Sequence, residues 1–232
     1  LEGADVRWSA NDALGIFSGT KFVNAKFTTK DDNAASATFT GDATDAEGTE
    51  AAKAFAYYPY AAGATLEGTT VSGLEIPAVQ TFAEGTFATT LNPMAAVGED
   101  HTSLAFRSVG AVLRFKLTGT DTFNKLILTG NNDESIAGAY ALDFSGEVPA
   151  MTFSGEGKSI TVTCASDVTL KTDVATEVHF VVPAGIEFTK GVSLKIVHSY
   201  YSWDAGDVNK EILTRKFTTP VSYTHLRAHE TR

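Results

Sequence analysis

The sequence predicts an all-β protein, and three observations carry that prediction. Apolar and polar residues alternate with a period of two along most of the chain, as in strands that have one buried and one wetter face. The same segments are rich in Val, Ile, Thr, Phe and Tyr, which suit a pleated surface. Turn signals containing Gly, Asn, Asp or Pro separate them, and most connections are too short for a crossover helix. We therefore expect mostly antiparallel strands in a β-sandwich.

The first half of the chain contains three clear strand patterns. In "KFVNAKFTTK" the alternation places Val23, Ala25 and Phe27 on the predicted inner face. The segments "SATFTG" and "KAFAYYPY" are predicted to be short strands. Only "TDAEGTEAAKA" favours a helical turn, and Gly48 weakens that preference.

The second half repeats the same alternation in longer segments. They are "VGAVLRFKLTG", "FNKLILTG", "TEVHFVVPAG" and "GVSLKIVHSYY". The predicted inner residues are Leu113, Phe115, Leu117, Val178, Phe180, Val182, Val192, Leu194 and Ile196.

A domain boundary is predicted in "TTLNPMAAVGEDHTS", which joins the two strand-rich halves. Pro93, Gly98 and the acidic pair Glu99 and Asp100 are typical of a linker. We expect one sandwich from residues 1–95 and a second from 96–220. A single elongated sandwich is the alternative.

Composition restricts the classes of function. The chain has 232 residues with a formal net charge of -10, which argues against nucleic acid or an anionic membrane as a partner. Apolar residues make up 43% and charged residues 20%, as in ordinary globular proteins. No apolar run has the length of a membrane span.

The motifs that most resemble catalytic elements have structural interpretations. Cys164 shares a predicted strand face with Ile160 and Val162, which favours a buried and inert thiol. The sequence G-K-S at Gly157 to Ser159 resembles the end of a phosphate-binding loop, but it is followed by the strand-like "ITVTC". A hairpin turn is therefore predicted, and no catalytic or cofactor-binding residue is assigned.

No metal site is predicted either. The acidic loop lacks the spacing of a calcium-binding hand, so a solvated loop is expected; its acidic residues are Asp42, Asp45, Glu47 and Glu50. The histidines do not converge in the sequence. His101 lies in the linker, His179 is predicted on the outer face of its strand, and His198 is predicted to be half-buried at a strand end.

Two aromatic clusters leave two interpretations open. They are "FAYYPY" at Phe55 to Tyr60 and "SYYSW" at Ser199 to Trp203. Aromatic rings on a sandwich surface bind sugars in some proteins. Alternating Tyr and Phe also supply core residues on one face and cross-strand pairs on the other, which is the favoured interpretation.

Several segments in order resemble the fimbrillin family, the fimbrial subunits and related surface lipoproteins of anaerobic gut and oral bacteria. The first, "WSANDALGIFS", matches the family pattern W-x-x-x-D-x-I-G-V-F at Trp8, Asp12, Gly15 and Phe17. Next come "FAYYPY" and "NPMAA", where Asn92 replaces the Asp that the family often has. The segments "SLAFRSVGAVLRFKLTG" and "FVVPAGIEFTKGVSLKIV" continue the resemblance as far as the strand before Pro220.

This resemblance implies two tandem transthyretin-like sandwiches and display on the outer surface after secretion with a lipoprotein signal. It also implies assembly of subunits by donation of a strand from one to the next. The expected partners are other fimbrial subunits and host or bacterial surface glycans or proteins. The alternative is a glycan-binding surface lipoprotein module that does not polymerise, with Tyr200, Tyr201 or Trp203 on an exposed platform. A hydrolase has no supporting motif.

The last segment, "VSYTHLRAHETR", departs from the composition before it. Residues 221–231 resemble the translation of the transposase adaptor used in sequencing-library preparation. We therefore expect a non-native tail at 221–232, with native sequence ending near Thr219 or Pro220 and the C-terminal sandwich truncated. His225 and His229 then form no metal pair. An unpaired edge or open groove is expected where the missing strand belongs.

Overall fold

The chain folds into β-strands connected by turns and loops, as predicted. The computed structural model describes residues 6–41, 47–219 and 221–222, and these ranges contain twenty strands and no helix. The segment with a helical tendency is irregular over its described part, 47–53, and then enters a strand at Ala54. The strands are β1 Ala13–Ser18, β2 Phe22–Thr29, β3 Phe39–Gly41, β4 Ala54–Tyr58, β5 Thr65–Glu67, β6 Thr70–Ile76, β7 Val79–Ala83, β8 Thr86–Phe87, β9 Met94–Gly98, β10 Arg107–Ser108, β11 Gly110–Leu117, β12 Thr122–Gly130, β13 Gly138–Asp143, β14 Ala150–Phe153, β15 Ser159–Thr169, β16 Thr176–Pro183, β17 Glu187–Phe188, β18 Val192–Ser202, β19 Gly206–Phe217 and β20 Val221–Ser222.

The strands form five hydrogen-bonded groups within the described residues. The first sheet has the order β10-β9-β4-β1-β2-β3, and the second has the order β19-β18-β12-β15-β7-β8. A third sheet is β14-β13-β6-β5, and β11 with β16 and β17 with β20 form two-stranded sheets. Pairing is antiparallel throughout except between β7 and β15, which run parallel with Val79 opposite Thr161. The expectation of mostly antiparallel pairing is confirmed.

The centre of the first sheet, β1 and β4, is buried on both faces, which explains its small and aromatic side chains. On one face Ala54, Ala56 and Tyr58 of β4 pack in a cluster with Trp8 and Phe106. On the opposite face Phe55 and Tyr57 pack with residues from the rest of the chain. The aromatic cluster "FAYYPY" is therefore core on both faces of β4 rather than a binding surface.

The second core cluster is the larger one and lies between the first, second and third sheets. It combines Tyr57 of the first sheet, Leu74 and Leu142 of the third, and Leu126 and Leu194 of the second. Most of the predicted inner residues contribute to it; Val178, Phe180, Val182, Val192, Leu194 and Ile196 are all at most 4% exposed.

The strand pairing crosses the predicted boundary between residues 95 and 96. Strands β6 and β7 precede it, yet β6 pairs with β13 and β7 pairs with β15. Strand β10 follows it, yet β10 pairs with β9. The larger core cluster likewise contains side chains from both parts. The tandem arrangement of 1–95 and 96–220 stays a prediction, and the observed sheets do not follow that division.

One predicted inner face is wrong. Val23 was expected to be buried with Ala25 and Phe27, but it is 71% exposed and Phe22 is buried instead. A β-bulge causes the change: Ala25 pairs with Ile16 and Phe22 pairs with Ser18, so Val23 and Asn24 together lie opposite the single residue Phe17. Asn24 adopts a left-handed φ of 54°, a conformation that Asn tolerates better than most residues.

The first two residues of the predicted tail form β20, which pairs antiparallel with β17. Glu187 is opposite Ser222 and Phe188 is opposite Val221. The positions of His225 and His229 lie outside the described residues, and the adaptor interpretation stays a prediction.

Candidate functional site

The catalytic-like motifs occupy structural positions. Cys164 is half-buried and unpaired, and burial raises the pKa of its thiol to about 11, so it is protonated at neutral pH. Lys158 of the G-K-S segment donates to the Asp133 carbonyl at 2.8 Å and to Ser135 Oγ at 2.9 Å. Strand β15 begins directly after it. The strand before the segment, β14, pairs with β13 in a different sheet, so the predicted hairpin turn is wrong and the segment is a loop that connects two sheets.

The acidic loop is only partly within the described residues, because Asp42 and Asp45 lie outside them. Glu47 is exposed, and Glu50 forms an ion pair with Lys21 at 3.1 Å and a hydrogen bond with His101 Nδ1 at 2.8 Å. The His101 hydrogen bond is the main cause of the lowered pKa of Glu50. This pair fixes the segment after β9 to the segment before β4.

The prediction for His179 is wrong, and the other two histidines have polar partners. The His179 ring points away from the Val178 and Phe180 face, but residues 85–87 cover it and its side chain is only 5% exposed. Burial lowers the pKa of His179, so its ring is neutral near pH 7. His198 is half-buried as expected, with Nε2 at 3.1 Å from an oxygen of Asp167.

No group of three or more His, Cys, Asp or Glu residues that would hold a metal ion occurs in residues 6–41, 47–219 and 221–222. The same ranges contain no helix long and apolar enough to cross a membrane.

The edge of the two-stranded β11–β16 sheet is the first candidate for a functional surface. The side chain of Gln80, on β7, makes two hydrogen bonds to the backbone of Val181, on β16. Its Nε2 donates to the Val181 carbonyl at 2.7 Å, and its Oε1 accepts from the Val181 N–H at 2.9 Å. The backbone groups of Val181 therefore point away from β11. Because Val112 is opposite Val181, this is a pair without mutual hydrogen bonds.

Along an antiparallel ladder, pairs with and without mutual hydrogen bonds alternate, so this one pair determines the type of all the others. Leu113 and Phe115 direct their backbone groups toward β16, whereas Val112, Arg114 and Lys116 direct theirs to the opposite edge. Pro183, which has no N–H to donate, is opposite Gly110 and agrees with this register. In the described part of the chain β16 is the one strand that pairs with β11. Val112 is buried, so the accessible part of the free edge runs from Arg114 to Lys116.

The side chains beside this edge differ between its two faces. Arg114 and Lys116 lie on the outer face, and both form ion pairs with the Glu177 carboxylate. Arg114 Nη1 lies 3.6 Å from Glu177 Oε2, and Lys116 Nζ lies 3.1 Å from Glu177 Oε1. The Lys116 hydrogen bond is the main cause of the lowered pKa of Glu177. On the other face Phe115 and Leu117 are only half-buried. The edge thus combines backbone groups that have no strand partner among the described residues, a local excess of positive charge and incompletely covered apolar side chains.

The β18–β19 hairpin is the second candidate surface. Its pairing with β12 ends at Val197, and the arm beyond carries Tyr201 and Trp203, which are 63% and 94% exposed. Their rings meet edge to face at 5.7 Å and an interplanar angle of 85°. Tyr200 packs instead against His198, at 5.5 Å. The structure therefore brings Tyr201 and Trp203 together and separates Tyr200 from them.

The third candidate is a cavity of about 310 Å³ beside the N-terminal segment. The Asp12 carboxylate on its wall accepts hydrogen bonds from Tyr58 Oη at 2.7 Å and from the Ser9 N–H at 2.8 Å. Tyr58 Oη accepts in turn from the Thr90 N–H at 2.8 Å. Burial, and then the Asp12 carboxylate, raises the pKa of Tyr58 well above its usual range. Trp8 packs edge to face on the Tyr58 ring at 5.3 Å.

Asn92 and His179 complete the wall of this cavity. From the sequence, Asn92 was only a departure from a family pattern, and His179 was predicted on the outer face of its strand. Gln80 was not singled out at all. The available signal was the presence of polar residues inside apolar segments, but one sequence does not show which of them become buried.

Comparisons of the chain with models of protein families, with curated proteins and with solved structures give no match.

Proposed function

We propose that this chain is a structural or adhesive subunit of a bacterial cell-surface fimbria that assembles by β-strand exchange. The observation that carries the proposal is the edge of β11 that has no strand partner among the described residues, where Arg114 and Lys116 are exposed. A strand edge of this kind pairs readily with a strand from another molecule.

An incoming strand would meet both requirements for β-augmentation at this edge. Its main-chain groups would pair with those of Arg114 and Lys116. Its alternate side chains would lie beside Phe115 and Leu117, which are half-buried, and would complete their burial. Arg114 and Lys116 outnumber Glu177 on the outer face, so acidic residues of a donor strand would be favoured there.

The resemblance noted in the sequence supports the same proposal through residues that have defined roles. Trp8 and Phe17 are buried in the two core clusters, and Asp12 anchors Tyr58. Under this proposal the native precursor is anchored by a lipid at the outer membrane and displayed on the cell surface. Its partners are other fimbrial subunits, with surface glycans or proteins as adhesion targets.

The test compares self-association of the purified chain with that of two variants at one position. Arg114→Pro removes an N–H that points to the free edge and leaves the ladder to β16 intact, because proline is tolerated at such edge positions. Arg114→Ala removes the same side chain and keeps the N–H. We expect polymers from the wild type and from Arg114→Ala, seen by light scattering and electron microscopy, and none from Arg114→Pro.

Hydrogen exchange gives the second measurement. The amides of Arg114 and Lys116 should exchange fast in the monomer and become protected in the polymer, whereas Leu113 and Phe115 should be protected in both. A wild-type chain that stays monomeric at high concentration, or an Arg114→Pro variant that polymerises normally, contradicts the proposal.

The second candidate function is glycan binding by the hairpin arm, which the exposure of Tyr201 and Trp203 favours. Binding to a glycan array that Trp203→Ala abolishes would support it. The perpendicular rings offer one flat face rather than a continuous platform, so this candidate ranks below strand exchange.

A further inference from the structure

Strand β14 forms one edge of the third sheet and lacks the protection that most other sheet edges have. Sheet edges are normally protected from other chains by charged side chains, proline, bulges or very short strands. Strand β19 has a bulge and five charged residues, and β3, β5, β8 and β10 have two or three residues each. The sequence of β14, "AMTF", contains no charged residue and no proline. This edge is therefore open to pairing with a second strand.

The hydrogen bonds from β14 to β13 determine which of its backbone groups point to the open edge. The Ser154 N–H donates to the Ala139 carbonyl at 2.9 Å, and these two residues form the next pair of the β13–β14 register. Pairs with and without mutual hydrogen bonds alternate. Thr152 therefore bonds β13, whereas Met151 and Phe153 direct their N–H and C=O groups away from it. In the described part of the chain no strand pairs with β14 on that side.

The side chains of β14 leave apolar surface uncovered on one face and carry no charge on the other. Met151 and Phe153 pack on the larger core cluster but are only half-buried. Ala150 and Thr152 alternate with them and are exposed on the outer face. A strand added at this edge would cover more of Met151 and Phe153, and it would meet no charged side chain on β14.

A second copy of β14 fits this edge in one register. Two antiparallel copies related by a twofold axis place one residue opposite its own copy. With Thr152 at the axis, Met151 is opposite Phe153 of the second copy, and all the outward backbone groups of both strands are paired. With Met151 at the axis, Phe153 would be opposite Pro149, which has no N–H to donate. With Phe153 at the axis, Met151 would be opposite Gly155, which lies beyond the strand.

We propose that two copies of this chain form a twofold dimer through β14, with Thr152 opposite Thr152 and the two third sheets joined into one. Pairs of threonine across strands are favourable. Symmetric pairing of β11 would instead bring Arg114 and Lys116 opposite themselves or each other, and like charges that face each other are destabilising. The β11 edge therefore suits a different strand, whereas β14 suits its own copy. The proposal does not depend on strand exchange at β11.

The first test places a cysteine at the axis. Residues in a pair without mutual hydrogen bonds have Cα atoms about 4.5 Å apart, which is within the range that a disulfide spans. Cys164 is the single cysteine of the chain, so Thr152→Cys is made together with Cys164→Ser. We expect mild oxidation to convert most of this variant to a covalent dimer on non-reducing denaturing gels, which dissociate any polymer held by β11.

Ser154→Cys with Cys164→Ser is the matched control, because Ser154 is also exposed. In the dimer Ser154 is opposite Ala150 of the second copy and about 13 Å from its own copy, so this variant should stay monomeric on the same gels. The proposal is overturned if Thr152→Cys stays monomeric or if both variants form covalent dimers equally.

The second test changes the charge at the axis and follows hydrogen exchange at protein concentrations up to about 1 mM, since a short strand gives a small and weak interface. The Met151 and Phe153 amides should become protected as the concentration rises, whereas the Thr152 amide should be protected by β13 throughout. Thr152→Lys and Thr152→Asp each place like charges opposite each other and should abolish this dependence. An equimolar mixture of the two variants should restore it.

Arg114→Pro is the control that separates this dimer from strand exchange. It leaves β14 unchanged and should keep the concentration dependence at Met151 and Phe153, while Thr152→Lys should leave any polymerisation through β11 intact. The dimer is refuted if the Met151 and Phe153 amides exchange at the same rate at all concentrations, or if the mixture of Thr152→Lys and Thr152→Asp behaves like either variant alone.

Discussion

Replacing Gln80 with leucine should destabilise the protein strongly, although Gln80 contacts no ligand and belongs to no recognised motif. Its side chain is 1% exposed and makes both hydrogen bonds to the Val181 backbone. Leucine has a similar volume and no polar atoms. The substitution therefore leaves the N–H and the C=O of Val181 buried without partners.

The magnitude follows from those two groups. Each buried backbone group left without a partner costs about 1–3 kcal/mol, so the pair costs about 2–6 kcal/mol. Leucine recovers part of this because burying the amide of Gln80 also has a cost, and we expect a net loss of about 2–4 kcal/mol. For a chain of this size that corresponds to a fall in melting temperature of about 4–16 °C.

Denaturant unfolding of the wild type, Gln80→Leu and Thr81→Ala measures this loss, with Thr81 as the exposed neighbour on β7 whose change should be within about 0.5 kcal/mol. Hydrogen exchange should show faster exchange of the Val181 amide in Gln80→Leu, with Phe180 still protected by β11. A loss below about 0.5 kcal/mol in Gln80→Leu, or a Val181 amide that stays protected, would refute the reasoning.

Three further predictions test other parts of the structure. Gly15→Ala should lower the free energy of unfolding in urea by about 1–3 kcal/mol, because a Cβ there would overlap the buried ring of Tyr57. Gly63→Ala is the control and should be nearly neutral, because a Cβ at Gly63 meets nothing within 4 Å. Alkylation of Cys164 in the folded protein should be slow at pH 7 and should accelerate as the pH rises toward its pKa of about 11. His179 has a lowered pKa in the folded state, so the unfolded chain binds more protons below about pH 6.5 and stability should fall there; His179→Phe should remove that part of the pH dependence of unfolding.

The alternation of residue types was sufficient to predict the longer strands such as β11, β12, β16 and β18 and most of their inner faces. It did not predict short strands such as β5 and β8, and β9 lies in the segment that was predicted to be a linker. Val178, Phe180 and Val182 are buried as expected, because side-chain direction has a strict period of two along a regular strand. The prediction failed at Val23, where a bulge adds a residue and reverses the phase. A bulge depends on the partner strand, so the pattern of one strand does not reveal it.

Predictions about the candidate sites failed for a different reason. His179 was predicted on the outer face of its strand because it alternates with apolar residues, but segment 85–87 covers that face. The pairing of β7 with β15, across a long sequence separation, brings that segment there. Contacts of this kind depend on the order of strands in the sheets, which local patterns do not encode. An unpaired edge was expected from the sequence, but its position on β11 and the presence of the cavity could not be predicted from it.

The identity of the free backbone groups on β11 rests on Gln80. If its amide did not bond Val181, the ladder could alternate in the opposite phase, and the outward groups would be those of Leu113 and Phe115 rather than Arg114. The side chain of Asn124 acts in the same way on β18, just beyond Val197, where the pairing of β18 with β12 ends. Its Nδ2 donates to the Ser199 carbonyl at 2.7 Å, and its Oδ1 accepts from the Ser199 N–H at 2.9 Å. Side-chain amides thus satisfy backbone groups on β16 and β18, whereas no such amide bonds β11 among the described residues. An edge that is left open beside half-buried apolar side chains favours pairing with another strand. Because Gln80 determines that the Arg114 N–H points to this edge, the Gln80→Leu experiment also tests the reason for placing proline at position 114.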